Sequence, residues 1–239
     1  PRERRQFFDK VFSIVRLEYL DVLQKYNRVL RQRNSALIQL KENRSLNYDL
    51  SQWNDQLVTY GYKLWKFRIQ LFKRFILSLK EIMSNYDDRI NIKISYNSKQ
   101  IELHDYKQKV LELESVDRRR GRTTYGPHRD NIKIEFYNKD LRLFGSQGEH
   151  KITLIFIKLA EMVFIKSETR SYPILLLDDL FAKVDLGRSK KLVELLNQLE
   201  TDRGDPVQTI VTATDIINIE NSGLLDNDRE IKTYNFKRI

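Results

Sequence analysis

The sequence predicts an α/β fold in which antiparallel helices form a first lobe and helices alternating with buried strands form a second layer. Three observations carry this. Residues 50–84 hold a near-heptad apolar seam, Leu57, Tyr60, Leu64, Phe67, Leu71, Phe75 and Ile82, the period of a helix that packs on another helix. Residues 174–177 are a short continuous apolar run, which suits a strand buried on both faces, and residues 207–211 read as a further buried strand. Helical stretches fall before and between those strands, the alternation of an α/β layer.

Each element follows in chain order. Residues 3–43 read as helix, broken near residues 13–16. Leu20, Leu23, Leu30 and Leu37 share one face, with Arg28, Arg31 and Arg33 among them. The polar stretch 43–49 reads as a turn that reverses the chain. The seam of helix 50–84 then packs most simply on the first helix, as an antiparallel pair. Lys63, Lys66, Lys73 and Lys80 repeat on the opposite side, Lys66 lying about 180° from Leu57. That stripe is either a wet face or a contact surface. Residues 90–96 alternate as a strand, and 99–120 form a charged helix ending in Arg118, Arg119 and Arg120 and stopped by Gly121. Residues 132–136 are a strand and 138–140 a turn. Gly145-Ser-Gln-Gly148 precedes a helix of about 20 residues. Pro173 introduces the strand 174–177. A helix over 186–200, a strand over 207–211 and a terminal strand over 231–236 complete the chain. No internal repeat or low-complexity tract is visible.

Composition bounds the function. The 239 residues suffice for one large domain or two modest ones. With no cysteine, disulfides and thiolate metal sites are excluded, and an intracellular home fits. No apolar run reaches the ~20 residues of a membrane span, and the arginine-rich start is not a secretory signal. The chain opens on Pro1 rather than Met, so a fragment of something longer is expected. His104, His128 and His150 are too scattered for a metal site and read as surface or hydrogen-bonding residues. The net charge of +10 is concentrated: residues 1–80 hold 17 Lys+Arg against 7 Asp+Glu, and residues 81–239 hold 26 of each. A basic half beside a neutral half reads as a docking surface for phosphates, or as a solvated helical face. About ten excess charges can supply a strong counterion-release term.

Three local signals carry chemistry. Asp178-Asp179 ends an apolar run, and a buried strand can carry a carboxylate to the edge where open α/β sheets bind ligands. In phosphate-binding ATPases one such acid holds Mg²⁺ and the next polarises the attacking water; an ordinary helix N-cap is the other reading. Gly145-Ser-Gln-Gly-Glu149 opens a helix, whose free N–H groups and positive dipole end attract anions. Ser146 adds a hydroxyl, and Gly148 lets backbone approach closely. A plain capped helix start fits the same residues. Asp185 lies seven residues beyond Asp178, at the turn into the next helix.

Together these residues resemble the RecF family of bacterial DNA-repair proteins, in the SMC-like branch of ABC ATPases. The likeness covers most of the chain. Pro1-Arg-Glu-Arg-Arg-Gln-Phe-Phe-Asp9 is similar to the segment entering that family's helical lobe, and Tyr26-Asn-Arg-Val-Leu-Arg-Gln-Arg-Asn34 to a stretch within it. Gly126-Pro-His-Arg-Asp130 is more typical of the family than any nucleotide motif. Phe144-Gly-Ser-Gln-Gly148 resembles the ABC signature, and residues 172–185 the Walker B strand and D-loop.

The resemblance implies a helical lobe over 1–120, with a small strand, attached to the C-terminal part of an ABC-type (P-loop NTPase) head over 121–239. It implies ATP and Mg²⁺ as cofactors of the full-length protein, and two heads sandwiching ATP as a homodimer. Ser146, Gln147 and Gly148 would meet a γ-phosphate in trans. Asp178 would hold Mg²⁺, Asp179 would stand at the base position, and Asp185 would join the interface. Lys63, Lys66, Lys73 and Lys80 are the candidate DNA contacts. The activity implied is slow, DNA-dependent ATP hydrolysis in repair, recombination, replication and the SOS response, with RecR-like and RecO-like mediators and recombinase loading, in the nucleoid-bearing cytoplasm. Departures are Glu149, where the signature has glutamine; Lys183, at an often acidic D-loop position; and Thr212–Thr214, where many ABC proteins carry a switch histidine. No G-x-x-x-x-G-K-[ST] occurs in the chain. In the family that loop lies upstream of the segment resembling Pro1, so the chain by itself is expected to be inactive. A non-enzymatic DNA- or protein-binding helical module on a degenerate ATPase half is the alternative; another SMC-like head is disfavoured by the short lobe.

Overall fold

The computed structural model describes residues 2–43, 49–87, 90–97, 102–170, 173–178, 186–199, 207–212, 220–224 and 231–234. The fold is mostly helical α/β. In order, the elements are α1 (Arg2–Val15), α2 (Leu17–Glu42), α3 (Ser51–Tyr86), β1 (Ile92–Asn97), α4 (Leu103–Glu112), α5 (Glu114–Arg120), β2 (Asn131–Phe136), β3 (Lys139–Asp140), α6 (Leu141–Phe144), α7 (Gln147–Thr169), β4 (Leu175–Leu177), α8 (Leu186–Asn197) and β5 (Thr209–Val211). Two compact units divide the chain: Pro1–Leu77 with Lys93–Ile134, and Ser78–Ile92 with Glu135–Ile239.

In the first unit the early helix breaks at Arg16, whose extended backbone (φ −146°, ψ 107°) separates α1 from α2. Helix α2 then runs antiparallel to α3 in heptad register. Tyr19 meets Phe67 and Arg68, Tyr26 meets Gly61, and Arg33 meets Asn54. Each advance of seven on α2 matches a retreat of seven on α3, the spacing of a knobs-into-holes seam. The buried face of α2 is Tyr19, Val22, Tyr26, Val29, Arg33, Ala36, Leu37 and Leu40. This corrects the leucine face expected from sequence: Leu20, Leu23 and Leu30 are only half-buried. Leu20 and Leu23 line a groove with Asp9, Lys10 and Ile14 of α1. Tyr26 fits the seam because Gly61 of α3 leaves room for its ring.

Gly61 sits inside α3 at the expense of helix propensity. A Cβ there would lie 2.7 Å from the Tyr106 hydroxyl, so the glycine lets α4 close on the helix. Phe8 and Phe12 of α1 pack on Phe72, with ring centroids 4.6 and 5.0 Å apart. The charged helix expected over 99–120 is two helices, divided at Leu113. Gly121, at φ +67°, closes α5 in the left-handed conformation that glycine adopts without strain.

In the second unit, Tyr137 and Asn138 both take positive φ (46° and 62°) and turn β2 into β3, pairing Phe136 with Lys139. Helix α7 buries Ile152, Phe156, Leu159, Ala160 and Phe164. Strand β4 pairs parallel with β5, Leu177 opposite Val211, and α8 lies between them in sequence. Leu175 and Leu177 point inward, whereas Ile174, Leu176 and Ile210 are 57 %, 68 % and 49 % exposed. The expectation of strands buried on both faces is therefore corrected. The pleat alternates, and an apolar run cannot tell whether a second layer covers its other face. The terminal strand is also corrected where it can be followed: residues 231–234 form no strand, and 235–236 lie outside the described residues. No helix among the described residues is long and apolar enough to cross a membrane.

Candidate functional site

The start of α7 is a reciprocal cap. Ser146 Oγ accepts from the Glu149 backbone N–H at 3.2 Å, and the Ser146 N–H donates to Glu149 Oε2 at 2.7 Å. The second bond turns the Glu149 carboxylate back toward the chain and holds its pKa below the ordinary carboxylate range. The residue that departs from the signature's glutamine is thus tied to the cap. A Cβ on Gly145 would lie 2.5 Å from the Leu141 carbonyl oxygen, so only glycine fits between α6 and α7. The helical ladder begins with His150 N–H to Ser146 C=O at 3.0 Å. The N–H groups of Gln147 and Gly148 precede that ladder and point toward the open end of the helix. Ser146, Gln147 and Gly148 thus share one turn that can face an anion.

Asp178 follows β4 and is exposed. The parallel register brings Thr212 beside it from the end of β5. The Thr212 N–H donates to Leu177 C=O at 2.9 Å and its hydroxyl to Asp178 Oδ1 at 2.5 Å. A carboxylate and a hydroxyl therefore share the carboxyl edge of a parallel pair, the ligand edge of α/β sheets. Asp179, Lys183 and Asp185 lie outside the described residues. Asp178 offers the hard oxygen that Mg²⁺ prefers, and the α7 turn offers N–H donors for phosphate, so the donor chemistry suits a magnesium nucleotide. No cluster of three or more His, Asp or Glu converges among the described residues. Lys63, Lys66, Lys73 and Lys80 are all exposed on α3, and Lys66 Nζ lies 4.7 Å from the centre of the Tyr62 ring.

Sequence reasoning missed a buried polar frame in the first unit. Asp130 accepts from Trp65 Nε1 at 2.8 Å, Arg68 Nη1 at 3.2 Å and Tyr96 Oη at 2.5 Å. Arg68 also grips both oxygens of Asp9, and the Asp9 carboxylate accepts from Tyr19. Burial pushes the Tyr19 and Tyr96 phenols up, so both remain donors. His128 Nε2 faces the Thr123 carbonyl at 3.1 Å and must donate to it; Nδ1 then accepts from Tyr26 Oη at 2.6 Å. Gly126 stands at φ +139°, and the Tyr26 and Tyr106 hydroxyls lie 2.7 and 2.8 Å from where its Cβ would be. Arg33, fully buried, donates to Asn54, Asp117 and Thr123. The available signal was a heptad: Arg33 lies seven residues beyond Tyr26 and fourteen beyond Tyr19, on the seam itself.

No protein-family model matches the chain. It is 36 % identical over 231 residues to the DNA replication and repair protein RecF of Halothermothrix orenii, covering 92 % of this chain and 60 % of that protein. To RecF of Acetivibrio thermocellus it is 32 % identical over 237 residues, covering 95 % and 62 %. The chain is a RecF homologue. It spans about 60 % of the length of the RecF proteins it matches. A solved structure of the recombination mediator protein RecF-ATP in the RecFOR pathway superposes with a TM-score of 0.74 at 25 % identity, over 90 % of this chain and 58 % of that one. A RecF-ATPrS structure of the same pathway shares the fold at a TM-score of 0.72 and 24 % identity.

In this RecF homologue the residues that carried the family likeness do two kinds of work. Ser146 to Glu149 and Asp178 lie at element ends, where backbone groups or exposed oxygens can meet a ligand. Tyr26, Arg33, Asn34, Gly126, His128 and Asp130 close the interior of the first unit.

Proposed function

We propose that the second unit is the C-terminal half of an ABC-type ATPase head and the first its helical lobe, in a protein that binds DNA under ATP control. The observation that carries this reading is the pairing, in one unit, of a capped glycine-bearing helix start with a parallel β4–β5 edge bearing Asp178 and Thr212. In that role Ser146, Gln147 and Gly148 direct donors at the terminal phosphate of ATP held by a second copy. Asp178, oriented by Thr212, contributes a carboxylate to Mg²⁺, and Asp179 stands at the position of the base. Asp185 belongs to the interface between copies. Bound Mg·ATP supplies the charge that brings two heads together. Aspartate is one methylene shorter than glutamate, which suits slow, switch-like hydrolysis. The 239 residues hold no phosphate-binding loop, so ATP binding requires one from elsewhere in the protein. Lys63, Lys66, Lys73 and Lys80 offer a basic stripe to DNA: single strands, gapped duplex or junctions. RecR-like and RecO-like mediators, recombinase loading and a place on the nucleoid complete the reading.

Light scattering of the full-length protein, with and without Mg·ATP, tests it. Wild type should dimerise with nucleotide. Ser146→Arg should stay monomeric, because its side chain fills the space kept for the partner's phosphate. Asp179→Asn should accumulate as a dimer, because it keeps the nucleotide and slows its hydrolysis. Three proteins that remain monomeric in both conditions would eliminate the sandwich and leave a non-enzymatic DNA- or protein-binding module.

A further inference from the structure

The buried frame ends in an arginine-bearing turn that the nucleotide site does not use. Asp117 of α5 is held by Arg33 at 2.8 Å and also accepts from the Thr124 N–H and hydroxyl. Asn34 of α2 takes the Thr123 N–H at 2.8 Å. Gly121 lies against Ile38 and Lys41 of α2, with Lys41 Cδ 3.0 Å from where a glycine Cβ would be. Residues 117–124 are thus fastened from beneath at three points, while Arg119, Arg120 and Arg122 face solvent. Lys41 is brought beside them, and Arg31 follows one turn before Asn34 on the same side of α2.

The two acids of α5 are spent elsewhere. Glu114 takes Arg118 at 2.8 Å and Asn54, and Asp117 takes Arg33. Arg31, Lys41, Arg119, Arg120 and Arg122 form no side-chain ion pair among the described residues. We propose that these five residues form a phosphate-binding surface for the DNA backbone, separate from the lysine stripe of α3. The proposal rests on the DNA-binding reading and names where part of that binding occurs. Arginine suits phosphate through its planar fork of donors. A protein partner would call for aromatic or apolar anchors at the centre, whereas the cluster is made of cations, with Ile38 exposed beside it. Fixing the turn on a buried ion network lowers the ordering cost of a phosphate contact.

The test is fluorescence anisotropy of labelled duplex and single-stranded oligonucleotides over a salt series, with the full-length protein. Arg119→Ala/Arg120→Ala/Arg122→Ala should bind about tenfold or more weakly near 0.1 M salt, and its log–log salt slope should fall by about 2–3. The corresponding triple lysine variant should keep most of the slope, since charge survives. Circular dichroism should show unchanged helicity, because all three side chains are exposed; single substitutions serve if the triple variant does not fold. An alanine variant with wild-type affinity and slope would overturn this site and leave the DNA-binding reading standing. A wild type without salt-dependent DNA binding would overturn both. Tighter binding of polyglutamate than of DNA of equal charge would assign the surface to an acidic protein instead.

Discussion

Arg33 and Asp117 lie 84 residues apart in sequence and meet at 2.8 Å with both side chains closed to solvent. The pair locks α5 onto the α2–α3 seam. Removing one partner strands the other charge in a low-dielectric interior.

Asp117→Ala should therefore cost roughly 3–5 kcal/mol of unfolding free energy. Arg33→Met/Asp117→Leu, which removes both charges, should cost clearly less. Urea denaturation of the two variants reads the difference. A loss below about 1 kcal/mol in the alanine variant would show that the pair is hydrated in solution.

Gly61→Ala should destabilise, although alanine favours a helix interior by about 1 kcal/mol over glycine. The new methyl would meet Tyr106 at 2.7 and 2.9 Å, so α4 must move. Trimming the obstacle with Tyr106→Ala should recover part of the loss introduced by the methyl, a coupling that a double-mutant cycle by thermal melting measures.

His128 gives a pH dependence with a defined sign. Burial lowers its pKa to about 4, whereas the unfolded value is near 6.5. The folded state therefore binds fewer protons between those values, and stability falls as pH drops from about 6.5 toward 4. The contribution is at most about 3 kcal/mol. Unfolding free energies across that range should converge for wild type and His128→Gln as pH falls. Parallel curves would mean that the imidazole charges without cost in the folded chain.

Ser146→Ala removes a helix cap and should cost about 1 kcal/mol. Glu149→Gln keeps a side-chain acceptor for the Ser146 N–H and should change stability little at neutral pH. Because the Glu149 pKa is depressed in the folded chain, its contribution is present above the ordinary glutamate pKa and lost as pH falls through the folded value. Chemical denaturation should show Glu149→Gln slightly less stable than wild type at pH 7 and the two proteins equal at pH 3.

Much of this was legible in the order of residues. The break near Arg16, the long helix α3, the Gly121 stop, the β2 strand and the capped start of α7 each rest on local rules: backbone freedom at glycine, capping donors, and the period of apolar side chains. Those rules act over a few neighbours, so one sequence suffices to read them. The true seam of α2, the open face of β4 and the partners of Arg33, Arg68 and His128 depend on which surfaces meet across as many as about a hundred residues. A buried arginine looks like a surface arginine until its carboxylate is brought to it. An apolar run looks doubly covered until the layers around it are counted. Local propensity and periodicity fixed the elements. Only tertiary contact decided which charges are neutralised inside the first unit and which, at Arg119, Arg120 and Arg122, are left facing water, because burying a charge is tolerable only when a partner arrives with it.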